Sequence, residues 1–367
     1  MPEKIVYSQA QKNMIWASLT KKHIQKLPSV SIDESNTYSF DIPKSRYLSK
    51  VGVLIEGTFK LIHASETTAT LKRFAPYEWL TGIKVDINNG FSPFKTNGKG
   101  LYLFNLLNPN TYNMKSVISN DLTPSRTTEV CSVAATNSAS SSGVTNTLKM
   151  YLELPLTIND RDPVGMINTQ DQSTNVNVTM DFGNLVSSLL GTTTGFTSST
   201  HSFTCTPFVE SFTIPANPIS QNPLEPLLDL QTLKLVQSES KTVAATGEET
   251  LKLPIGTTYR RIIFDIHSSN TGLTDAQVTN FMISLNQADK PLNITGKQLQ
   301  AINQNNYGWV LPDGIWVFDF TYQGSPNYGG SRDYIDTQNL NEFWAMIQMG
   351  TTGTINYHYE SLVRLGG

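Results

Sequence analysis

The chain carries the same stretch of sequence twice. Residues Ile83–Asn105 (IKVDINNGFSPFKTNGKGLYLFN) align without a gap on Phe281–Asn303 (FMISLNQADKPLNITGKQLQAIN), at an offset of 198 residues. Identities fall at Asn88/Asn286, Pro93/Pro291, Gly98-Lys99/Gly296-Lys297, Leu101/Leu299 and Asn105/Asn303. Apolar residues at 83, 85 and 87 match those at 281, 283 and 285, the period-two alternation of a half-buried strand. Four shorter pairs follow in the same order: SFDIP (39–43) on TLKLP (250–254), YLEL (151–154) on VFDF (317–320), NVTMDFG (177–183) on WAMIQMG (344–350), and FVES (208–211) on HYES (358–361). Each pair alone is weak, but five in one order point to a domain duplication. The spacing far exceeds the repeat of roughly 20–50 residues that builds solenoids.

The offsets of those pairs are 211, 198, 166, 167 and 150; the three large drops place insertions in the first copy. They fall between Thr58 and Trp79, between Leu106 and Met150, and between Asn184 and Ser202. The stretches TNSASSSGVTNT (136–147) and GTTTGFTSST (191–200) read as loops, which a β scaffold lengthens at little cost.

Strand-like runs dominate, separated by turn residues: YSFDI, KVGVLIEGTFKLI, LKMYLELPL, SFTCTPFVESFTI, YRRIIFDI, IWVFDFTY and TINYHYESLVRL. Charged residues are only 16% while aromatics reach 10%, so the polar balance rests on Ser, Thr, Asn and Gln; this suits an all-β protein with much neutral surface. Short helices are expected near Asp275–Asn280 and from Gly296 to Gln304, with a counterpart at 98–100. From about Ser8 to Leu27 the pattern is helical, with Ser8 as cap and Pro28 as stop, and Lys12, Lys21, Lys22 and Lys26 make this helix basic, with no acid in it. The segment PANPISQNPLEPLLDL (215–230), with four prolines, reads as an extended linker. The expected organisation is a basic helix and arm over 1–35, a first domain over 36–220, and a linker with the second domain over 221–367.

No constellation of residues points to catalysis. The five histidines show no metal-ligand spacing, and Asp160-Arg161-Asp162 before Pro163 reads as a turn with a local ion pair. GSPNYGGSRD (324–333) lacks the lysine of a phosphate-binding loop. Cys131 and Cys205 read as two thiols in a reducing compartment. No apolar signal or spanning stretch is seen, so synthesis in a cytoplasm is expected. A net charge of −3 argues against a general nucleic-acid surface. The aromatic run 306–328, with Tyr307, Trp309, Trp316, Phe318, Phe320, Tyr322 and Tyr328, reads as sandwich core or as a carbohydrate platform, according to whether its rings are buried.

Taken together, the paired copies (about 36–214 and 247–365), the basic helix, the linker and the ending YHYESLVRLGG resemble the double jelly-roll major capsid proteins, nearest to those of tectivirus-like, tailless phages with an internal membrane. The resemblance implies an all-β fold of two tandem eight-stranded jelly-roll barrels with an N-terminal helix. It implies a structural, non-enzymatic role in a virion, without cofactor or metal. Three chains would form a homotrimer of pseudo-hexagonal outline, and such capsomers would tile an icosahedral shell with penton and minor capsid proteins. Loops 106–150 and 184–202 would rise outward as towers. Lys12, Trp16, Lys21, Lys22 and Lys26 would lie near the internal membrane. The alternatives are a virion spike that binds carbohydrate or a receptor, and a tandem jelly-roll enzyme such as an amide-cleaving glycan hydrolase, which would need acids converging in a cleft between the domains.

Overall fold

The computed structural model describes residues 16, 18–64, 69–88, 90–107, 130–133, 135, 144–158, 164–213, 232–321 and 334–364. Eleven strands build the first half: β1 (Lys22–Lys26), β2 (Val30–Ile32), β3 (Thr37–Asp41), β4 (Tyr47–Ile62), β5 (Leu80–Ile87), β6 (Phe91–Thr96), β7 (Val130–Cys131), β8 (Val144–Pro155), β9 (Ile167–Asn168), β10 (Val176–Phe182) and β11 (Thr197–Phe212). The second half holds β12 (Thr232–Val243), β13 (Gly247–Lys252), β14 (Thr258–Ser268), β15 (Thr271–Gly272), β16 (Val278–Leu285), β17 (Asp289–Thr295), β18 (Ile315–Asp319), β19 (Ile335–Asp336), β20 (Phe343–Met349) and β21 (Gly353–Arg364). Among the described residues three α-helices with both ends defined join them, α1 (Gly98–Leu106), α2 (Leu185–Leu189) and α3 (Gly296–Tyr307), with a 3-10 turn at Tyr77–Trp79 and helical residues at Trp16, Ser18 and Leu19.

Each half is a barrel of two facing sheets with one strand order. In the first, β1 and β2 flank β11-β4-β8, and β3-β10-β5-β6 covers them; in the second, β12-β21-β14-β18 is covered by β13-β20-β16-β17. Eight strands in two sheets, ordered alike in both halves, make a double jelly roll. Register confirms most of the sequence alignment. Val85 opposes Val178 as Ile283 opposes Ala345, and Lys50 opposes Glu210 as Arg261 opposes Glu360. One pair needs correction. Lys50 opposes Pro155 where Arg261 opposes Asp319, so β8 and β18 correspond two residues away from the YLEL/VFDF match. A shift of two keeps every side chain on its face, which is why hydrophobic pattern alone did not detect it.

The repeated identities have physical causes. Asn88 and Asn286 both adopt positive φ, 55° and 50°. Both side chains accept backbone hydrogen bonds, from Asn175 N at 2.7 Å and from Asn341 N at 2.8 Å. Gly98 and Gly296 open the two helices where a Cβ would lie 2.3 Å from Tyr77 O and 2.2 Å from Val278 O, so they are first-turn helical residues rather than simple turns. Asn97 and Thr295 cap those helices, the latter with a full capping box. Asn105 donates to Glu153 O and accepts from Glu153 N, both at 2.8 Å; Asn303 clamps Val317 in the same two-way manner at 2.8 and 2.9 Å.

Several expectations are overturned. The segment 8–27 is not one helix: Lys22–Lys26 is strand β1, fully registered on β11, because the alternating backbone groups of that edge find a ladder there. Residues 197–200, read as loop, extend β11, and Thr197–Ser199 pair with Lys60–Ile62 of β4 before an irregularity at Ser199/Ser202; Ser and Thr are accepted in a ladder once a partner strand is present. The inserted residues on either side of that ladder therefore lengthen strands as well as loops. Asp275–Gln277 is a turn and β16 begins at Val278, so no helix forms there. The linker 215–230, most of 106–143 and Tyr322 and Tyr328 lie outside the described residues.

Each barrel has its own aromatic-rich core. Trp79 packs against Phe182 and Phe203 in the first, and Phe281 against Phe264, Trp316 and Phe318 in the second. Strand β18 is buried on both faces: Trp316 and Phe318 enter the second core, while Ile315 and Val317 join the first.

Candidate functional site

The feature that the duplication does not explain by itself is the seam between barrels. Strand β6 pairs in parallel with β12 (Phe94 with Val236, Lys95 with Gln237), so one sheet of ten strands runs through both barrels. Helix α1 (GKGLYLFNL) is buried almost throughout. Of its twelve-residue counterpart α3, only Gly296, Leu299 and Asn303 are buried. The apolar composition of α1 reflects this: it has a barrel on either side.

The second barrel presents to that helix an outer sheet face rich in polar groups. Alternation sends Ile262, Phe264 and Ile266 of β14 into their own core and leaves Arg261, Ile263 and Asp265 facing the seam. A bulge at Tyr259/Arg261 brings Arg260 to the same carboxylate as Arg261. Glu360 thus receives Arg260 Nη1 at 2.5 Å and Arg261 Nη2 at 2.6 Å, and Arg261 also donates to Leu107 O at the end of α1, at 3.0 Å. Burial would raise the Glu360 carboxyl, but the two guanidinium groups hold it well below the usual range. Beside it, Lys234 donates to Thr157 O of the first barrel at 2.9 Å, and burial pushes its ammonium down to about 7.

A second cluster joins Asp265 to Lys99 of α1 at 2.8 Å and to Arg73 at 3.2 Å; Arg73 also donates to Asp313 O. Burial opposes ionisation of Asp265, and the two cations more than offset it. Between the clusters, Thr96, Ser238 and His358 form a hydrogen-bonded chain across the seam, with Ser238 Oγ 2.6 Å from His358 Nδ1. A Cβ at Gly100 would lie 2.5 Å from that imidazole, so this glycine sets how closely α1 approaches. Burial, with Lys99 nearby, lowers His358 to about 3. An open cleft of about 470 Å³ at one end of the seam is lined by Lys72, Arg73, Glu78, Lys99, His267 and Asn356 among others. Its charged groups are paired: Lys72 with Glu78 at 3.4 Å, and the rest around Asp265. No three His, Cys, Asp or Glu among the described residues converge to hold a metal. The chemistry here is adhesion between two barrels.

The residues expected near a membrane fall in different places. Lys12 lies outside the described residues. Trp16 is buried, with its ring packed against Tyr47 and Phe212 at 6.2 and 5.0 Å. Lys22 pairs with buried Glu210 at 2.7 Å; Lys21 and Lys26 are exposed. No helix among the described residues is long and apolar enough to cross a membrane. In the aromatic run, Trp316 and Phe318 are buried and Phe320 packs on their cluster, which removes them from any carbohydrate platform. Sequence reasoning missed the seam; the only signal was charge inside the strand runs YRRIIFDI and YHYESLV, where a barrel core would tolerate none.

Comparisons with known proteins agree with this architecture. Residues 234–334 match the family model of the viral coat protein P2 N-terminal domain. No curated protein sequence matches the chain. Among solved structures, the major capsid protein of Sulfolobus turreted icosahedral virus (STIV) is similar at a TM-score of 0.66 and 14% identity, covering 94% of this chain and 97% of that one. The Faustovirus major capsid protein gives 0.65 at 10% identity, covering 94% and 90%. The major capsid protein P2 of bacteriophage PM2 gives 0.53 at 10% identity, covering 94% and 98%. The chain has the double jelly-roll fold of viral major capsid proteins.

Proposed function

We propose that this chain is the major capsid protein of a virus, whose copies form homotrimeric, pseudo-hexagonal capsomers that tile an icosahedral shell around an internal membrane. The observation that carries the reading is a pair of barrels with one strand order, joined by a continuous sheet. Three such chains place six similar barrels around one axis, so a threefold particle has an almost sixfold outline and fills a plane. The role is structural. Nothing in the seam resembles a reaction centre, because its ionised groups neutralise one another. Neighbouring capsomers, penton and minor capsid proteins are the partners this role requires.

Electron microscopy with mass measurement in solution tests the reading. Particles of three chain masses with a hexagonal outline are expected; a protein that stays monomeric up to high concentration would end it. An obligate interface of several thousand Å² rests mainly on non-electrostatic contacts, so the trimer should survive 1 M salt. The membrane-facing role of the N-terminal segment has its own test. Lys12, Lys21 and Lys26 replaced together by Gln should weaken flotation with anionic vesicles; Lys22 is left intact because it neutralises Glu210. Unchanged flotation would remove the membrane role and leave the shell role standing.

A further inference from the structure

We propose that the outer face of the β13-β20-β16-β17 sheet docks, about a two-fold axis, on the same face of a second copy of this chain and so joins one capsomer to the next. This rests on the capsid reading above, and adds to it the surface through which neighbouring capsomers meet.

The duplication supplies the comparison. In the first barrel Thr179 lies between Lys84 and Ser39, as Met346 lies between Met282 and Thr250 in the second. Two residues along, Asn177 lies between Asp86 and Asp41, as Trp344 lies between Ser284 and Lys252. These side chains point away from the cores, because the alternate residues Val85, Val178, Ile283 and Ala345 are buried. The first barrel covers its outer sheet with groups that satisfy one another. Asp86 takes Lys84 at 2.8 Å, Asp41 takes the Asn177 amide at 2.9 Å, and Asp181 takes the Thr37 hydroxyl at 2.6 Å. The second barrel puts Met282, Met346 and Trp344 in the places of Lys84, Thr179 and Asn177, and all three remain partly exposed. The fold does not require them, since the first barrel closes the same sheet with polar residues. Methionine and aromatic side chains are enriched where protein surfaces meet.

The charges around the patch identify its occupant. Strand β13 forms one edge of the sheet and β17 the other. At one end, Lys252 on β13 opposes Trp344, and Asp289 on β17 opposes Leu285. At the other end, Glu248 opposes Gln348, Thr295 opposes Asn280, and Lys297 follows on α3. All four charged residues are exposed. Each end therefore carries a cation at one edge and an acid at the other, in opposite sense. A two-fold axis along the strands exchanges the two edges. It lays Lys252 against Asp289 of the second copy and Glu248 against Lys297, with Met346 over Met282 between them. The barrels stand side by side through the parallel β6–β12 pair, so in the proposed tile the strands run along its normal, the direction of a two-fold between tiles of one shell. The outer sheet of the first barrel is a poorer partner, because Asp41, Asp86 and Asp181 would be desolvated against apolar groups.

Sedimentation and light scattering of purified capsomers at low salt test the contact, with a melting curve for each variant. Met346→Asp is expected to weaken association between capsomers at least about tenfold, while Thr179→Asp, at the equivalent place in the first barrel, leaves it unchanged. Lys252→Glu and Asp289→Lys are each expected to weaken it at least about threefold, and the two together in one chain to restore it. Both of these positions are exposed, so the exchange reads the contact even where Met346→Asp unfolds the sheet. Association that ignores Met346→Asp, that falls equally with Thr179→Asp, or that is not restored in the double variant overturns the inference and leaves the capsid reading intact. Trimers that associate no further do the same. A chain that stays monomeric overturns both.

Discussion

Glu360 shows what a single side chain does at the seam. It is buried with two arginines, one placed by the regular alternation of β14 and the other by a bulge. Glu360→Gln leaves two guanidinium groups facing one neutral amide, and a broken buried pair of this kind typically costs about 3–5 kcal/mol. Urea unfolding should show that loss, with far less change for a charge-neutral substitution at exposed Lys297. His358 gives a pH signature. Its folded value is about 3 against 6.5 for the free group, so between those limits the unfolded chain holds the extra proton. Stability therefore falls as pH drops from 6.5 toward 3, by up to about 1.4 kcal/mol per unit. Lys99 and Asp265 face the ring; Asp265 is held below its ordinary range by the cations beside it, and Glu360 begins to contribute only near and below its free value of 4.5. Melting temperatures between pH 6.5 and 5 should fall in the native protein and flatten in His358→Gln. An equal slope in both would show that the imidazole is already protonated when folded.

The helices that follow β6 and β17 are where the duplication is best understood as physics. Each starts on a glycine pressed against a carbonyl, is capped by a polar residue, and ends near an asparagine that bonds both backbone groups of a neighbouring strand. That asparagine acts as one extra rung of a ladder. Replacing Asn303 by Leu leaves the N–H and carbonyl of Val317 without partners inside the barrel, and about 2–4 kcal/mol should be lost, read by thermal unfolding. Asn303→Asp keeps the acceptor and should recover part of it. The same helices also show divergence. Gly100 and Gln298 occupy equivalent places, and only the glycine lets a helix approach to within contact of an imidazole. Gly100→Ala should therefore loosen the seam although it would favour the isolated helix by about 1 kcal/mol. Strand β1 is the converse case: its lysine-rich sequence reads as helix, and pairing with β11 decides otherwise.

At the scale of the molecule, a buried seam holds two barrels in one orientation with charges that two separate barrels would keep in water. Lys99–Asp265 and Lys234–Thr157 each cross it, as do Arg261–Leu107 and Ser238–Thr96. Buried pairs are poor sources of stability but discriminate strongly against shifted arrangements. In the proposed shell, the angle between barrels would set the geometry of the whole surface, so orientation is the property such a seam protects.

Duplication, the all-β character and the position of the insertions were legible in the chain alone, because period-two alternation and a handful of Asn and Gly identities report local backbone requirements that recur wherever the fold recurs. The aromatic run resolved only with burial, since Trp316 and Ile315 are equally apolar and point into different cores. The seam could not be read locally. Whether Arg261 meets a carboxylate, a helix end or water depends on which barrel lies over it, and whether Lys22 belongs to a helix or a strand depends on β11, nearly two hundred residues away. Contacts between distant segments decide such matters, and one residue's neighbours in sequence carry no record of them.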